Sequence, residues 1–149
     1  MAHAPVLKVQ VWIYTQNPSD RTYHFLLLKT RPERGGFWQP VTGGVDPGEA
    51  LEVAALREAK EETGLAFLHT PVPLGRSFEF ESRGKTVGEQ GFHLKVQSLH
   101  SDLPPAVQLD PHEHVDSLWV SAEAAFQLLK YESNSQLLRK LVAQLQSVS

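Results

Sequence analysis

The sequence predicts an α+β fold, a mixed sheet with helices on both faces, and three observations carry that expectation. Residues Val6 to Tyr14 alternate between apolar and other side chains, the period-two mark of a strand. A glycine-rich loop around residues 43–48 runs into a helical pattern that Gly64 closes. Further strand-like segments follow before two terminal helical ones, so helices and strands are interspersed along the chain.

Taken in order, strand one sets Leu7, Val9, Val11 and Ile13 on one side and Lys8, Gln10 and Trp12 on the other, which reads as half-buried. Asn17 to Asp20 form a turn cluster, and His24 to Lys29 then reads as a second strand, hairpin-paired with the first. Pro32 to Gly36 is a loop with Arg31 and Arg34 at its edges, and Phe37 to Val41 a short strand. Gly43, Gly44, Pro47 and Gly48 make a tight loop with exposed backbone. Asp46 is placed as N-cap of the following helix, with Pro47 at the first helical position and Glu49 completing a capping box. Leu51, Ala54, Ala55 and Ala59 sit at helical spacing.

Beyond the helix, Leu65 to Leu68, Pro73 to Glu81, Phe92 to Leu99 and Val115 to Val120 read as strands, with a polar turn at Ser82 to Lys85. Ser121 to Lys130 and Ser133 to Gln146 read as helices, the second opened by a Ser133–Gln136 capping box. No repeat, linker or low-complexity stretch interrupts the chain, so residues 1–149 are expected to form a single domain.

Composition narrows the functional classes. With 14 Lys and Arg against 17 Asp and Glu, the chain lacks the basic excess of nucleic-acid binders. The absence of cysteine excludes thiolate catalysis, zinc–thiolate sites and disulfides. No apolar run approaches the roughly 20 residues of a membrane span, and the N-terminus has no signal-peptide core, so a cytoplasmic location is expected.

The negative charge is concentrated. Residues 49–62 hold five glutamates against Arg57 and Lys60, a sum of −3, which is the charge of the whole chain. Glu58, Glu61 and Glu62 fall at i, i+3 and i+4, so their carboxylates are expected to share a helix face. Carboxylates roughly 5–6 Å apart repel by about 3 kcal/mol per pair at an effective dielectric of 20, far less when fully solvated. A hard divalent cation removes that repulsion. Taken alone, the cluster fits either a solvated acidic face or a cation site.

The surrounding positions are more specific. Gly43, Glu49, the run Arg57-Glu58-Ala59-Lys60-Glu61-Glu62 and Gly64 hold the spacing of a 23-residue box that resembles the signature of the Nudix hydrolases. Seven fixed identities at about 6% usage give a chance match on the order of 10⁻⁷ along this length. Ala59 departs from the larger aliphatic residue usual in the family, a matter of packing rather than chemistry.

The resemblance implies the Nudix fold, an α/β/α sandwich with a mixed β-sheet and the box as loop–helix–loop, and hydrolysis of a nucleoside diphosphate linked to another moiety. It implies Mg²⁺, with Mn²⁺ as a substitute, held by Glu58, Glu61, Glu62 and the Gly43 carbonyl. Glu61 and Glu62 are also expected to act in catalysis, and Arg57 with Glu49 to orient the cluster. The base is expected to be a box glutamate or Glu113, for which a plain surface carboxylate is the alternative. His112 and His114 are expected to be solvated. Arg31, Arg34 and the Gly44 backbone are candidates for substrate phosphates, and Trp38 for stacking on a base, with surface charge and core packing as alternatives for the side chains. Asn134 is read as a helix cap.

Outside the box, Phe37-Trp38-Gln39-Pro40-Val41-Thr42-Gly43, Glu113-His114 with Trp119, and Ser133-Asn134-Ser135-Gln136 are similar to the bacterial dihydroneopterin triphosphate pyrophosphatases. The proline of ADP-ribose enzymes and the tyrosine of dinucleoside polyphosphate hydrolases are missing where Phe80, Glu81 and Ser82 stand. A small nucleotide or pterin triphosphate is therefore the expected partner, cut to monophosphate and pyrophosphate, with no membrane or nucleic-acid partner and a homodimer left open. The alternatives are a catalytically inactive nucleotide sensor or partner-binding module, and a dinucleoside polyphosphate or RNA 5′-end hydrolase.

Overall fold

A computed structural model describes residues 6–77, 80–82, 84–97 and 104–147. Strand β1 (Val6–Gln16) pairs antiparallel with β2 (Tyr23–Thr30) and β4 (Val41–Gly44), and parallel with β7 (Lys85–Lys95). Around this strand the order is β3-β2-β1-β7-β5, where β3 is Trp38–Gln39 and β5 is Val72–Arg76. β6 (Phe80–Ser82) adds to β7, and β8 (His114–Val120) to β2. The sheet is mixed, as expected.

Helices cover both faces. Val9, Val11 and Ile13 of β1 pack with Leu26, Leu28, Phe92 and Leu94 against Ala54, Ala55 and Ala59 of α1 (Leu51–Thr63). Trp12 and Tyr14 face the other way, with Phe25, Leu27 and Leu74, against Ala125 of α2 (Ala122–Leu128) and Leu137, Leu138 and Leu141 of α3 (Glu132–Ser147). Burying each such large side chain contributes about 1.5–3 kcal/mol. Strand one is therefore buried on both faces rather than one: Gln10 and Trp12 are fully buried beneath α3, and only Lys8 of the expected open side is exposed. Ala59, the short residue of the box, is also fully buried, and its size lets α1 lie close to the sheet.

Several boundaries differ from the sequence reading. The stretch Phe37 to Val41 is split at Pro40, which has no N–H for a ladder, so β3 pairs with β2 and β4 with β1. Helix α1 begins after Ala50, not Asp46, because Gly48 takes a left-handed φ of 77° that no α-helix contains. Asp46 and Glu49 still bond reciprocally: the Glu49 N–H donates to the Asp46 carbonyl and the Asp46 N–H to Glu49 Oε1, both at 3.0 Å. Leu65 to Leu68 forms no strand; Leu65 and Phe67 reach the core from a loop instead. The predicted strand Pro73 to Glu81 resolves into β5 and β6, with residues 78 and 79 outside the described residues, as is Leu99 at the end of the next one. Helix α3 opens at Glu132, so Asn134 lies within its first turn and is not its cap. Ser121 does cap α2, its Oγ accepting from the Ala124 N–H at 3.2 Å. No described helix is long and apolar enough to cross a membrane.

Candidate active site

The end of β4, the inner face of α1 and the turn before β8 enclose a polar cavity of about 270 Å³. Its lining includes Gly43, Gly44, Glu58, Glu62, Glu113 and Arg34. Gly43 is there because nothing larger fits: a Cβ on it would stand 2.1 Å from Glu58 Cδ and 2.4 Å from Glu58 Oε2. The glycine lets the carboxylate lie against the β4 backbone.

Arg57 holds the cluster together from the helix side. Its Nε and Nη2 donate to the two oxygens of Glu49 at 2.8 and 2.9 Å, a bidentate pair. Nη1 donates to Glu58 Oε1 at 2.8 Å, and Nη2 also to the Gly44 carbonyl at 2.9 Å. One guanidinium thus ties the loop, the strand end and the first acidic residue into a fixed frame. The Arg57 hydrogen bonds hold the Glu49 carboxyl at about 2, well below the usual range.

Glu62 is the opposite case. It is 5% exposed, and its Oε2 is buried without a hydrogen-bond partner. Burial, with the neighbouring Glu58, Glu113, Asp110 and Glu61 adding to it, pushes its carboxyl up to about 9. Burial raises the Glu58 carboxyl too, against the opposing pull of Arg57. A buried orphan oxygen among like charges fits a hard cation. Among the described residues no three acidic or histidine side chains converge into a ready-made cage. The fit is therefore to an ion that takes a few protein oxygens, here Glu58, Glu62 and the Gly43 carbonyl, and completes its shell with waters and substrate phosphates, as Mg²⁺ does.

Glu113 reaches the cavity from a turn closed by its N–H on the Asp110 carbonyl, and Arg34 Nη1 donates to its Oε2 at 2.9 Å. Arg31 lies outside the lining and acts at a distance: Nη1 donates to the Pro111 carbonyl at 2.9 Å while Nε bonds Glu33, which joins the 3₁₀ turn Pro32–Arg34 to the turn bearing Glu113. Glu61 also lies outside the lining, its side chain half-exposed and 3.4 Å from Arg57. Adjacent helical residues are about 100° apart, so Glu61 and Glu62 do not share an inward face. Trp38 packs with the α3-side core, near the Lys29 ammonium, and lines neither of the cavities described here.

The sequence reading passed over other lining residues. Lys8, Thr30, Gln39 and Thr42 all face the cavity. His114 is buried rather than solvated, bonded to the Gln39 amide at 3.2 Å, and burial lowers its pKa. A second cavity of about 550 Å³ adjoins the first, sharing Lys8, Gln39 and Thr42 and adding Phe37, Glu89, Tyr131 and Asn134.

Comparison with known proteins bears on family and fold. A NUDIX domain model matches residues 6–142. The chain is 33% identical over 142 residues to the dihydroneopterin triphosphate diphosphatase of Escherichia coli K12, a match covering 91% of each protein. It is 32% identical over 120 residues to an octanoyltransferase of Myxococcus xanthus, where the match takes in 79% of this chain but only 32% of that longer protein. The crystal structure of a C. elegans Ap4A hydrolase binary complex superposes with a TM-score of 0.76 at 30% identity, covering 96% of this chain and 99% of that one.

Proposed function

The chain belongs to the Nudix family, and from that premise we propose that it is a Mg²⁺-dependent pyrophosphohydrolase that cuts a nucleoside or pterin triphosphate to monophosphate and pyrophosphate. The observation that carries this reading is the buried, unpartnered Glu62 Oε2 beside Glu58 in a cavity that Glu113 and Arg34 also enter. Similarity to the dihydroneopterin triphosphate diphosphatase along most of both chains supports the triphosphate class.

Glu58, Glu62 and the Gly43 carbonyl would hold the cation, and Mn²⁺ would substitute. Glu61 joins them only by turning its exposed side chain inward. When bound, the ion neutralises the diphosphate and acidifies the water at phosphorus. The protein's own groups do the remainder. Arg57 fixes Glu58 and the loop, so the carboxylates are held in place before substrate arrives. Glu113 takes the proton of the attacking water, and the hydrogen bond from Arg34 aims that carboxylate. Lys8 and Arg34 supply positive charge to the phosphate chain, with the Gly44 backbone close enough to touch it.

A substrate panel in Mg²⁺ tests the proposal. Dihydroneopterin triphosphate and the (d)NTPs should exceed ADP-ribose and diadenosine tetraphosphate in kcat/KM. Reaction in ¹⁸O-water should release pyrophosphate as the first product and locate the labelled phosphorus. Orthophosphate as first product, or a preference for ADP-ribose or diadenosine tetraphosphate, would overturn the substrate assignment.

A further inference from the structure

The outer side of α1 carries more apolar surface than a helix facing water needs. Val53 is 55% exposed, and with Leu56 it lines an open groove of about 500 Å³ that Thr70 and Pro71 wall off. Leu68 and Val72, on either side of that wall in the chain, are 76% and 46% exposed. Exposed apolar side chains gathered in this way mark a surface that another molecule covers. The charges in the groove say which molecule. Glu52 and Lys60 also line it, both exposed, and neither has an ion pair or hydrogen bond among the described residues. Glu52, Leu56 and Lys60 are spaced by four, so they form one ridge along the helix, with the apolar residue midway between opposite charges. Eight residues of helix set those charges about 12 Å apart, too far to pair with each other.

A ridge with this order is its own complement. The geometry points to a second copy of this chain as the occupant of the groove, the two α1 helices packing antiparallel across a twofold axis at Leu56. At the crossing of roughly 50° usual for ridges of this spacing, Leu56 meets Leu56 at the axis with Val53 beside it, and Glu52 of each copy reaches Lys60 of the other. A twofold contact makes each such pairing twice. Parallel packing would set Glu52 against Glu52 and Lys60 against Lys60, and a slip of one turn would set a charge against Leu56. Both forfeit the ion pairs, so charge fixes direction and register while the apolar centre supplies the affinity. The face also lies away from the candidate active site. At 100° per residue, Leu56 stands about 160° around the helix from Glu58 and about 120° from Glu62, so the contact does not cover the cavity that those carboxylates line.

Sedimentation equilibrium of the wild-type chain, in EDTA and without substrate, reads the association independently of any activity. A concentration-dependent equilibrium between monomer and dimer is expected. Glu52→Lys and Lys60→Glu each turn two attractive pairs into two repulsive ones, and each should raise the dimer Kd by about tenfold or more. Both side chains are exposed, so neither change disturbs the fold much. An equimolar mixture of the two variants restores opposite charges at both ends of the contact and should form a heterodimer at close to the wild-type affinity. The double variant E52K/K60E should recover the homodimer for the same reason. Val53→Asp, which puts an unpaired charge beside the axis, should leave a monomer. Wild-type protein that stays monomeric up to about 1 mM, a dimer indifferent to both reversals, or reversed variants that do not associate when mixed would overturn the proposal.

Discussion

Replacing Glu62 by Gln keeps the shape of the side chain and removes its charge, and the structure sets the size of the effect. The carboxyl titrates at about 9 in the folded chain against a reference of 4.5. A carboxyl raised in this way contributes full stability below pH 4.5, where both states hold the proton. That contribution is lost as pH rises, by about 1.4 kcal/mol per unit, until the folded-state value is passed. Metal-free wild type should therefore be about 3 kcal/mol less stable at pH 7 than at 4.5 from this group alone. Glu62→Gln has no such slope. In EDTA the variant should gain on wild type as pH rises from 5 to 8, by about 2–4 °C in Tm for each kcal/mol in a chain of this size. Millimolar Mg²⁺ should reverse the order, since a site filled at a hundredfold excess over Kd adds about 2.7 kcal/mol to the wild type and much less to the variant. Thermal melts at several pH values, with and without Mg²⁺, measure both effects. A gap that stays constant with pH in EDTA would refute the account of Glu62 as a buried carboxyl awaiting a cation.

Three further outcomes are expected. Gly43→Ala should destabilise the chain by about 1–3 kcal/mol in urea denaturation, because the new methyl meets Glu58 Cδ, and should abolish metal-induced stabilisation. Arg57→Lys loses the bidentate grip on Glu49 and the bond to the Gly44 carbonyl; kcat should fall about 10²-fold as the carboxylates lose their alignment. Glu113→Gln should lower kcat by about 10²-fold or more with little change in KM, as expected for a proton acceptor, whereas an equal rise in KM would mark it as a binding group.

What the sequence revealed and what it concealed divide along a physical line. The Arg57–Glu49 pair and the Gly43–Glu58 contact lie within the end of β4, the loop after it and the helix that follows, so spacing along the chain was enough to bring the box to notice. Helix phase was legible in principle, yet the i, i+3, i+4 rule grouped Glu61 with Glu58 and Glu62 without asking which arc of the helix faces the sheet. Lys8 and Glu89 could not be found this way. Lys8 stands opposite Gly44 on one side of β1 and opposite Glu89 on the other, and that convergence depends on strand register between segments dozens of residues apart. The two-sided burial of β1 was hidden for a similar reason: Gln10 looks like a solvent-facing residue until α3 covers it, when it becomes part of a buried chain of hydrogen bonds.

The missing side chain of Gly43 works as a keyway. Glu58 occupies it, and because that seat admits only a residue at one angular position, it locks the rotation of α1 about its own axis. The information in the helix is thus read in phase, much as a codon is read in frame. A single residue inserted upstream of Arg57 would turn everything after it by about 100° and offer Arg57 and Glu61 where Glu58 and Glu62 now stand. Substitutions along the outer arc of α1 leave the lock untouched, while insertions and deletions within it do not, so that arc should accept changes of identity far more readily than the segment between Glu49 and Gly64 accepts changes of length.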